Sequence, residues 1–497
     1  MSKILRSNLL FFVAFAQILQ FFTNIEAQDI ETTIRIDANS PSVARVQGRF
    51  LHERSGTPAN RISFMSDYAG TFGIYQRISD IRLADSKGGT VFNRGIPGEY
   101  LAVSGIKAWS YSVDLAQTKS FVASAHVSWL SGDGGILMPD DFLPQDSGKF
   151  AKIKIELPTG WKLYSTEKTI GVNEFEVANI EKACFFISRN WREKTVTVGD
   201  SSVKVLLSGD WLFADDEAAT IAAEVFGKYE KLFGSAPRSS QIALVKFPWD
   251  VQGGHWEADT RGSSITIASS DMPFKSQSIQ RLHEQFRHEI FHMWAPASLN
   301  LTGHYDWFYE GFALYQSLKL GVEVNRIRFE DMLDTLSRAS SLDRGFTAMS
   351  MPKPRSLIDL SKNRWMGGNT QVYARGMIVA FLCDLALLNE SNGKRSTSDL
   401  VREIYSQHGG AIPASDGNTA ILSIFKSHKE LIPIADRYIS GTENIEWGNL
   451  LNAAGLDVDT KDQVTKLTVK AKPSGRQKDL LDKLGYNNWR KLTVNNR

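Results

Sequence analysis

Cysteine is nearly absent: Cys184 and Cys383 are the only two in a chain of 497 residues. So few exclude a fold stapled by disulfides and a Cys-rich structural zinc site, and the protein must stand on its apolar core. Cys383 lies in the apolar stretch Ala380-Phe381-Leu382-Cys383-Asp384-Leu385 and reads as a buried thiol. A dominant charge is also missing. With 57 Lys and Arg against 55 Asp and Glu, the net is +2. That balance argues against nucleic acid or a membrane surface as a partner of the whole molecule. The chain opens with Lys3 and Arg6, an apolar run from Leu9 to Phe22, and the small residue Ala27. Residues 1–27 read as a secretory signal rather than an anchor, because Gln17 and Gln20 interrupt a run already short for a span. The expected location is secreted or periplasmic, with no stable membrane anchor after cleavage.

A helical stripe of any length is lacking from residues 28–207. Short runs there alternate apolar and polar residues, as in Thr33-Ile34-Arg35-Ile36, Ala151-Lys152-Ile153-Lys154-Ile155 and Lys194-Thr195-Val196-Thr197-Val198. Gly and Pro punctuate them. The pattern predicts an N-terminal β-sandwich over 28–207 without a catalytic cluster. Helical character begins at Asp215, with acidic residues leading as suits a helix N-terminus. Strands follow at Gln241 to Phe247 and Ser264 to Ala268, with a Gly253-Gly254 turn between them. From Phe329 to Gly441 the chain reads as mostly helical. The expected plan is multidomain α+β: signal 1–27, β-sandwich 28–207, catalytic domain 208–395, helical C-terminal region 396–460 and a basic tail 461–497. That tail holds ten Lys and Arg and three Asp, a net of +7 (10 − 3), and is expected to be solvated or weakly ordered.

What the chain does contain is Arg287-His288-Glu289-Ile290-Phe291-His292-Met293-Trp294, with His-Glu-x-x-His inside it. Residues four apart share a helix face, so His288 and His292 can offer ring nitrogens to one metal ion. Glu289 then leans beside the ion, where a general base for an activated water must be. Ile279, Leu282, Phe286, Ile290 and Met293 form the core stripe of a helix over residues 276–294, and the histidines lie off that stripe. Glu310, on a second helix for which Asp306 is the expected N-cap, is a natural third ligand. Three protein ligands leave one position open, the catalytic rather than the structural arrangement. Two imidazoles and a carboxylate suit one Zn2+. His283-Glu284 is a decoy, because Arg287 fills the second ligand position. His255 and His304 have no partner at helical spacing.

The chain resembles the glycyl-aminopeptidase family of gluzincin metallopeptidases, relatives of the aminopeptidase N type. The residues that carry the resemblance are Leu157-Pro158-Thr159-Gly160-Trp161, Val251-Gln252-Gly253-Gly254, the metal helix, Trp307 to Tyr315, Tyr373-Ala374-Arg375-Gly376, Ile439 to Glu443 and Ala454-Gly455-Leu456. It implies a thermolysin-like zinc catalytic domain, with His288, His292 and Glu310 as ligands and Glu289 as base. It also implies Tyr373 as oxyanion donor, where the residues alone suggest a core-facing tyrosine. Gly253, Gly254 and a nearby acid, Glu257, would hold the substrate main chain and its α-amino group. The implied activity is release of small N-terminal residues such as Gly or Ala from a peptide substrate. Two departures stand out. Glu310 comes one residue early, which a loop absorbs. Glu257 is displaced by one position, so a metallo-endopeptidase or another zinc hydrolase stays open beside the aminopeptidase. A catalytically inactive metal-bearing binding protein is the alternative of another class. After Leu456 about 40 residues remain, too few for the PDZ domain common in the family.

Overall fold

The computed structural model describes residues 29–52, 58–145, 147–349, 354–410 and 412–489. The segment read as a signal, 1–27, lies outside them. The N-terminal region is a β-sandwich. Its larger sheet contains β1 (Ile30–Asp37), β2 (Ser40–Phe50), β3 (Ile78–Asp85), β4 (Gly88–Thr90) and β5 (Ala108–Asp114). It also holds β8 (Ala151–Glu156), β10 (Lys168–Gly171) and β11 (Glu174–Val177), in the order β10-β11-β8-β1-β2-β5-β3-β4. The smaller sheet is β6 (Trp129–Leu130), β7 (Gly134–Leu137), β12 (Phe185–Ser188) and β9 (Lys162–Ser165), in that order. Period-two alternation places Ile30, Thr32, Ile34 and Ile36 inward on β1. They meet Leu137, Phe185 and Ile187 of the smaller sheet in one core.

Strand β12 is buried at every position. Phe185 and Ile187 face the sandwich core, while Phe186 on the other side joins Trp129, Trp191, Leu206, Ala243, Val245 and Ala268. The last four belong to the sheet of the half expected to be catalytic. The sandwich therefore docks through an apolar layer, which fixes its position over the catalytic half.

The catalytic sheet is β13 (Arg192–Val198), β14 (Ser201–Leu207), β15 (Ser239–Lys246), β17 (Ser264–Ser269) and β16 (Trp256–Arg261), in that order. β14, β15 and β17 run parallel, and the edge strands β13 and β16 run antiparallel to their neighbours. This corrects the boundary at 207/208: the hairpin of β13 and β14 belongs to the catalytic sheet, because Val203, Val205 and Leu207 pack on the helices.

Helices α1 (Asp215–Phe233), α2 (Lys275–His292), α3 (Asp306–Glu323), α4 (Phe329–Met349), α5 (Leu357–Lys362), α6 (Asn369–Glu390) and α7 (Thr397–His408) follow. α6 is long and apolar enough to cross a membrane, but 89% of its apolar stretch is buried inside the protein, which makes it a core helix. One continuous core runs from Val203 to Leu484, so no packing gap separates the catalytic domain from the helical region at 395/396. Cys184 and Cys383 are buried free thiols.

The basic tail is also corrected. Leu456–Lys461 and Val464–Val469 form a hairpin, and Gly475–Lys483 is a helix. Leu467, Leu480, Leu481 and Leu484 join the core, while Lys466, Arg476 and Lys478 stay at the surface. Charge composition alone hid a few well-spaced apolar anchors.

Glu167, in the turn after β9, lies at the junction, where neighbouring Thr166 Oγ1 is 3.4 Å from Ser264 Oγ. Burial raises its carboxyl from 4.5 to about 7. Below the unfolded value the acid is protonated in both states, so the penalty appears as pH rises from about 4.5 to about 7. Glu167→Gln should therefore gain on the order of 2 kcal/mol at pH 8 and nothing at pH 4, read from denaturation midpoints at the two pH values.

Candidate metal centre

Helix α2 lies against the catalytic sheet, where Gln285 Nε2 donates to Ser269 Oγ at 2.6 Å, and against α1, where Tyr229 OH donates to the Arg287 carbonyl at 2.6 Å. Leu282, Phe286, Ile290 and Met293 are buried as the expected core stripe. From Gln285 to His292 the opposite face is buried too, covered by β16, α3 and Tyr373.

On that face His288 Nε2, His292 Nε2 and Glu310 Oε2 form a triangle. Its edges are 3.2 Å between the two nitrogens and 3.4 and 3.5 Å from each to the carboxylate oxygen. Ligands about 2.0–2.1 Å from a tetrahedral zinc stand about 3.3–3.4 Å apart, so the triangle fits that ion. Glu310 Oε2 is buried without a hydrogen-bond partner, although its other oxygen is ion-paired. An ion at the centre would satisfy it. His292 Nδ1 donates to the Ala295 carbonyl at 3.0 Å, which leaves the Nε2 lone pair facing the centre. His288, Glu289 and His292 also fall in one group whose ligand atoms lie within 4.8 Å of one another.

The electrostatics agree with a cation site. Burial alone would raise the Glu310 carboxyl, but the Arg364 guanidinium and the two imidazoles facing it hold it well below the carboxylate range. For His292, burial opposes the proton, but Glu310 outweighs it and lifts the imidazole to about 9.

Glu289 is 4% exposed. Its Oε1 is 3.9 Å from His288 Nε2, outside ligand distance, and its Oε2 accepts from Thr260 Oγ1 at 2.9 Å. Thr260 lies on β16, whose alternation sends Trp256, Ala258 and Thr260 toward α2 and Glu257, Asp259 and Arg261 to the other side. Tyr373, from the first turns of α6, is partly buried, with its ring 6.4 Å from that of His288. Its hydroxyl is held far above the usual range, first by burial and next by Glu310. Thr260→Val keeps the shape and removes the bond to Glu289. The turnover number should fall about tenfold with zinc content unchanged, as measured by metal analysis beside steady-state rates.

Other expected site residues are placed differently. Glu257 lies on the side of β16 turned from α2; burial raises its carboxyl and the nearby Glu289 charge adds to this, and His255 Nε2 is 3.8 Å away. Gly253 and Gly254 do not touch the triangle. Gly254 (φ 77°) packs on Met272 and is near Arg281, and Arg281 sits two helical turns, about 10 Å, before His288. Asp306 is not the N-cap of α3. Its carboxylate turns to Arg364 at 3.2 Å, and Ser361 Oγ accepts the Trp307 N–H at 3.0 Å instead. His283 is buried against Arg287 (2.7 Å), consistent with a decoy. His304 is exposed.

Two site residues escaped sequence reasoning. Thr260 was within reach, since Trp256-Glu257-Ala258-Asp259-Thr260-Arg261 alternates with period two. Arg364, in the loop between α5 and α6, carries no spacing signal. The sandwich also reaches β16 and the loop before α6. Tyr68 OH is 3.3 Å from Asp259 Oδ2, Arg261 Nη2 donates to the His126 carbonyl at 3.3 Å, and Gly70 packs on Trp365.

Fold and site together define a class: a β-sandwich docked on a mixed α/β unit whose helices present a two-His, one-Glu centre that can hold a metal. The fold is that of the aminopeptidase N family. The chain is similar to an aminopeptidase N family protein from Idiomarina loihiensis, with a TM-score of 0.71 and 16% identity over 86% of this chain and 79% of that one. It is also similar to an M1 zinc metallopeptidase from Deinococcus radiodurans, with a TM-score of 0.50 and 12% identity over 82% of this chain and 92% of that one. No family model and no curated protein matches the sequence.

Proposed function

We propose that this protein is a zinc metallopeptidase, with a thermolysin-like catalytic half, that acts as an aminopeptidase on peptides. The observation that carries the reading is the triangle of His288, His292 and Glu310 with the carboxylate of Glu289 beside it and outside it. These three residues would hold one Zn2+. When bound, zinc lowers the pKa of water and polarises a carbonyl. Glu289, oriented by Thr260, takes the proton of the attacking water and returns it to the leaving amine. Tyr373 donates a hydrogen bond from its hydroxyl to the developing oxyanion.

Exopeptidase action is supported by Glu257. Burial makes its carboxylate costly, and a substrate α-ammonium would offset that cost. Resemblance to the glycyl-aminopeptidase family supports small first residues such as Gly and Ala. The 1–27 segment supports export to a secreted or periplasmic location. The proximity of His255 to Glu257 favours a second reading, a metallo-endopeptidase, because His255 then occupies the acid that an α-amino group would need.

The test is zinc content per chain together with cleavage of a Gly- or Ala-initiated peptide beside its N-acetylated twin. One zinc and cleavage of the free-amine peptide alone are expected. Equal cleavage of both rejects the aminopeptidase. A zinc-loaded protein that turns over nothing in a broad peptide library supports the binding protein.

A further inference from the structure

Arg364 lies in residues 363–368 between α5 and α6, and its side chain is 11% exposed. Its Nη1 is 2.8 Å from Glu310 Oε1 and 3.2 Å from Asp306 Oδ1. Its Nη2 donates to Tyr373 OH at 2.6 Å, and its Nε donates to Asn369 Oδ1 at 3.0 Å. The guanidinium also lies over the rings of Trp365 and Tyr373, 4.6 and 5.0 Å from their centroids. One cation thus touches the carboxylate of the metal triangle and the hydroxyl assigned to the oxyanion. Resting on the zinc-peptidase reading above, we propose that Arg364 is a positioning residue. It turns Glu310 Oε2 toward the two imidazoles and sets the Tyr373 hydroxyl as a hydrogen-bond donor to the substrate.

Guanidinium has five N–H groups and no acceptor. Glu310 Oε1 is therefore an occupied acceptor, and the free oxygen is the one facing His288 and His292. Tyr373 OH must accept from Nη2, so its own proton has to point elsewhere. Lysine supplies a single ammonium and cannot span both partners in a fixed fork. The loop is built to hold this pose. Gly367 adopts φ 96°, and a Cβ on Gly368 would stand 2.5 Å from the Leu360 carbonyl oxygen. A purely structural ion pair would need only Asp306, whereas here the fork also engages two groups of the reaction centre.

The experiment compares Arg364→Ala and Arg364→Lys in the wild-type and Tyr373→Phe backgrounds. It reads zinc affinity by chelator competition and kcat on zinc-loaded protein, with circular dichroism confirming the fold. Arg364→Ala should weaken zinc by ~10–100-fold, as loss of a partner to a ligand does. Its kcat should fall by a similar ~10–100-fold. Arg364→Lys should recover most of the zinc affinity and little of kcat. In the Tyr373→Phe background, Arg364→Ala should still weaken zinc but lower kcat by less than about twofold more, because the two residues act through one hydroxyl. Unchanged zinc affinity in Arg364→Ala, or kcat losses that multiply in full, overturns the proposal. If wild-type protein binds zinc but cleaves no peptide, the peptidase reading falls while the affinity arm still decides the part of Arg364 at Glu310. If it binds no zinc, both fall.

Discussion

Glu289→Gln is expected to lower kcat by at least ~10² while zinc stays bound. The two effects separate because Glu289 stands next to the triangle and not in it: its nearer oxygen is 3.9 Å from His288 Nε2, whereas Glu310 Oε2 is 3.4 Å away. Glutamine has the shape of the residue it replaces, and its amide oxygen can still accept from Thr260. What it loses is the capacity to take a proton from water and hand it on. KM should shift by no more than a few-fold, since substrate contacts are kept and the loss falls on the transition state. His292→Ala should behave differently, since it deletes a corner of the triangle and zinc leaves with it. Metal analysis beside steady-state kinetics on a Gly or Ala reporter separates the two variants. Activity retained within tenfold of wild type in zinc-loaded Glu289→Gln would remove this residue from the base's role.

The sequence was most legible where chemistry is packed into one helix. The i, i+4 spacing of His288 and His292 needs only helical geometry, and Glu310 adds one residue from the neighbouring helix. Thr260 and Arg364 act across tertiary contacts, from an edge strand and from a loop; period-two alternation gives the side that Thr260 faces, and no local rule points to Arg364. The sandwich was legible because alternation marks a half-buried strand. The same alternation blurred its end, since β13 and β14 look alike whether they close a sandwich or edge a catalytic sheet. The last segment misled for a different reason. Its net charge of +7 dominates the composition, while burial rests on few residues, Leu467, Leu480, Leu481 and Leu484. The Gly-Gly turn shows the limit of resemblance, because the packing of Gly254 on Met272 already accounts for that glycine without a ligand.

Gly311→Ala is expected to destabilise the protein and to cost more than ~10-fold in kcat, although local propensity argues the reverse. In a helix, Ala is favoured over Gly by about 1 kcal/mol. Gly311, however, lies where α3 crosses α6. A Cβ there would stand 2.3 Å from the carbonyl carbon of Gly376 and 2.5 Å from its Cα. The reciprocal Cβ on Gly376 would stand 2.7 Å from the Trp307 carbonyl oxygen. These are backbone atoms, which cannot rotate aside as a side chain can, so the helices must part. Overpacking against movable side chains already costs about 1–3 kcal/mol, and a backbone clash lies at or above the top of that range. The propensity gain is smaller, so the clash decides the sign. Function follows from the neighbours. Glu310 precedes Gly311, and Tyr373 lies one turn before Gly376, so parting the helices draws Tyr373 and Arg364 away from Glu310. His288 and His292 sit on α2 and are untouched, so zinc should bind more weakly but not be lost. Gly448→Ala is the control, because that glycine is exposed, starts a helix and leaves a new Cβ with nothing within 4 Å. Thermal melts should place Gly448→Ala at or above the parent and Gly311→Ala clearly below it. A Gly311→Ala protein that melts at or above the parent with full kcat would mean that the two helices are not held at glycine contact, and the close approach that joins Tyr373 to Glu310 would need another cause.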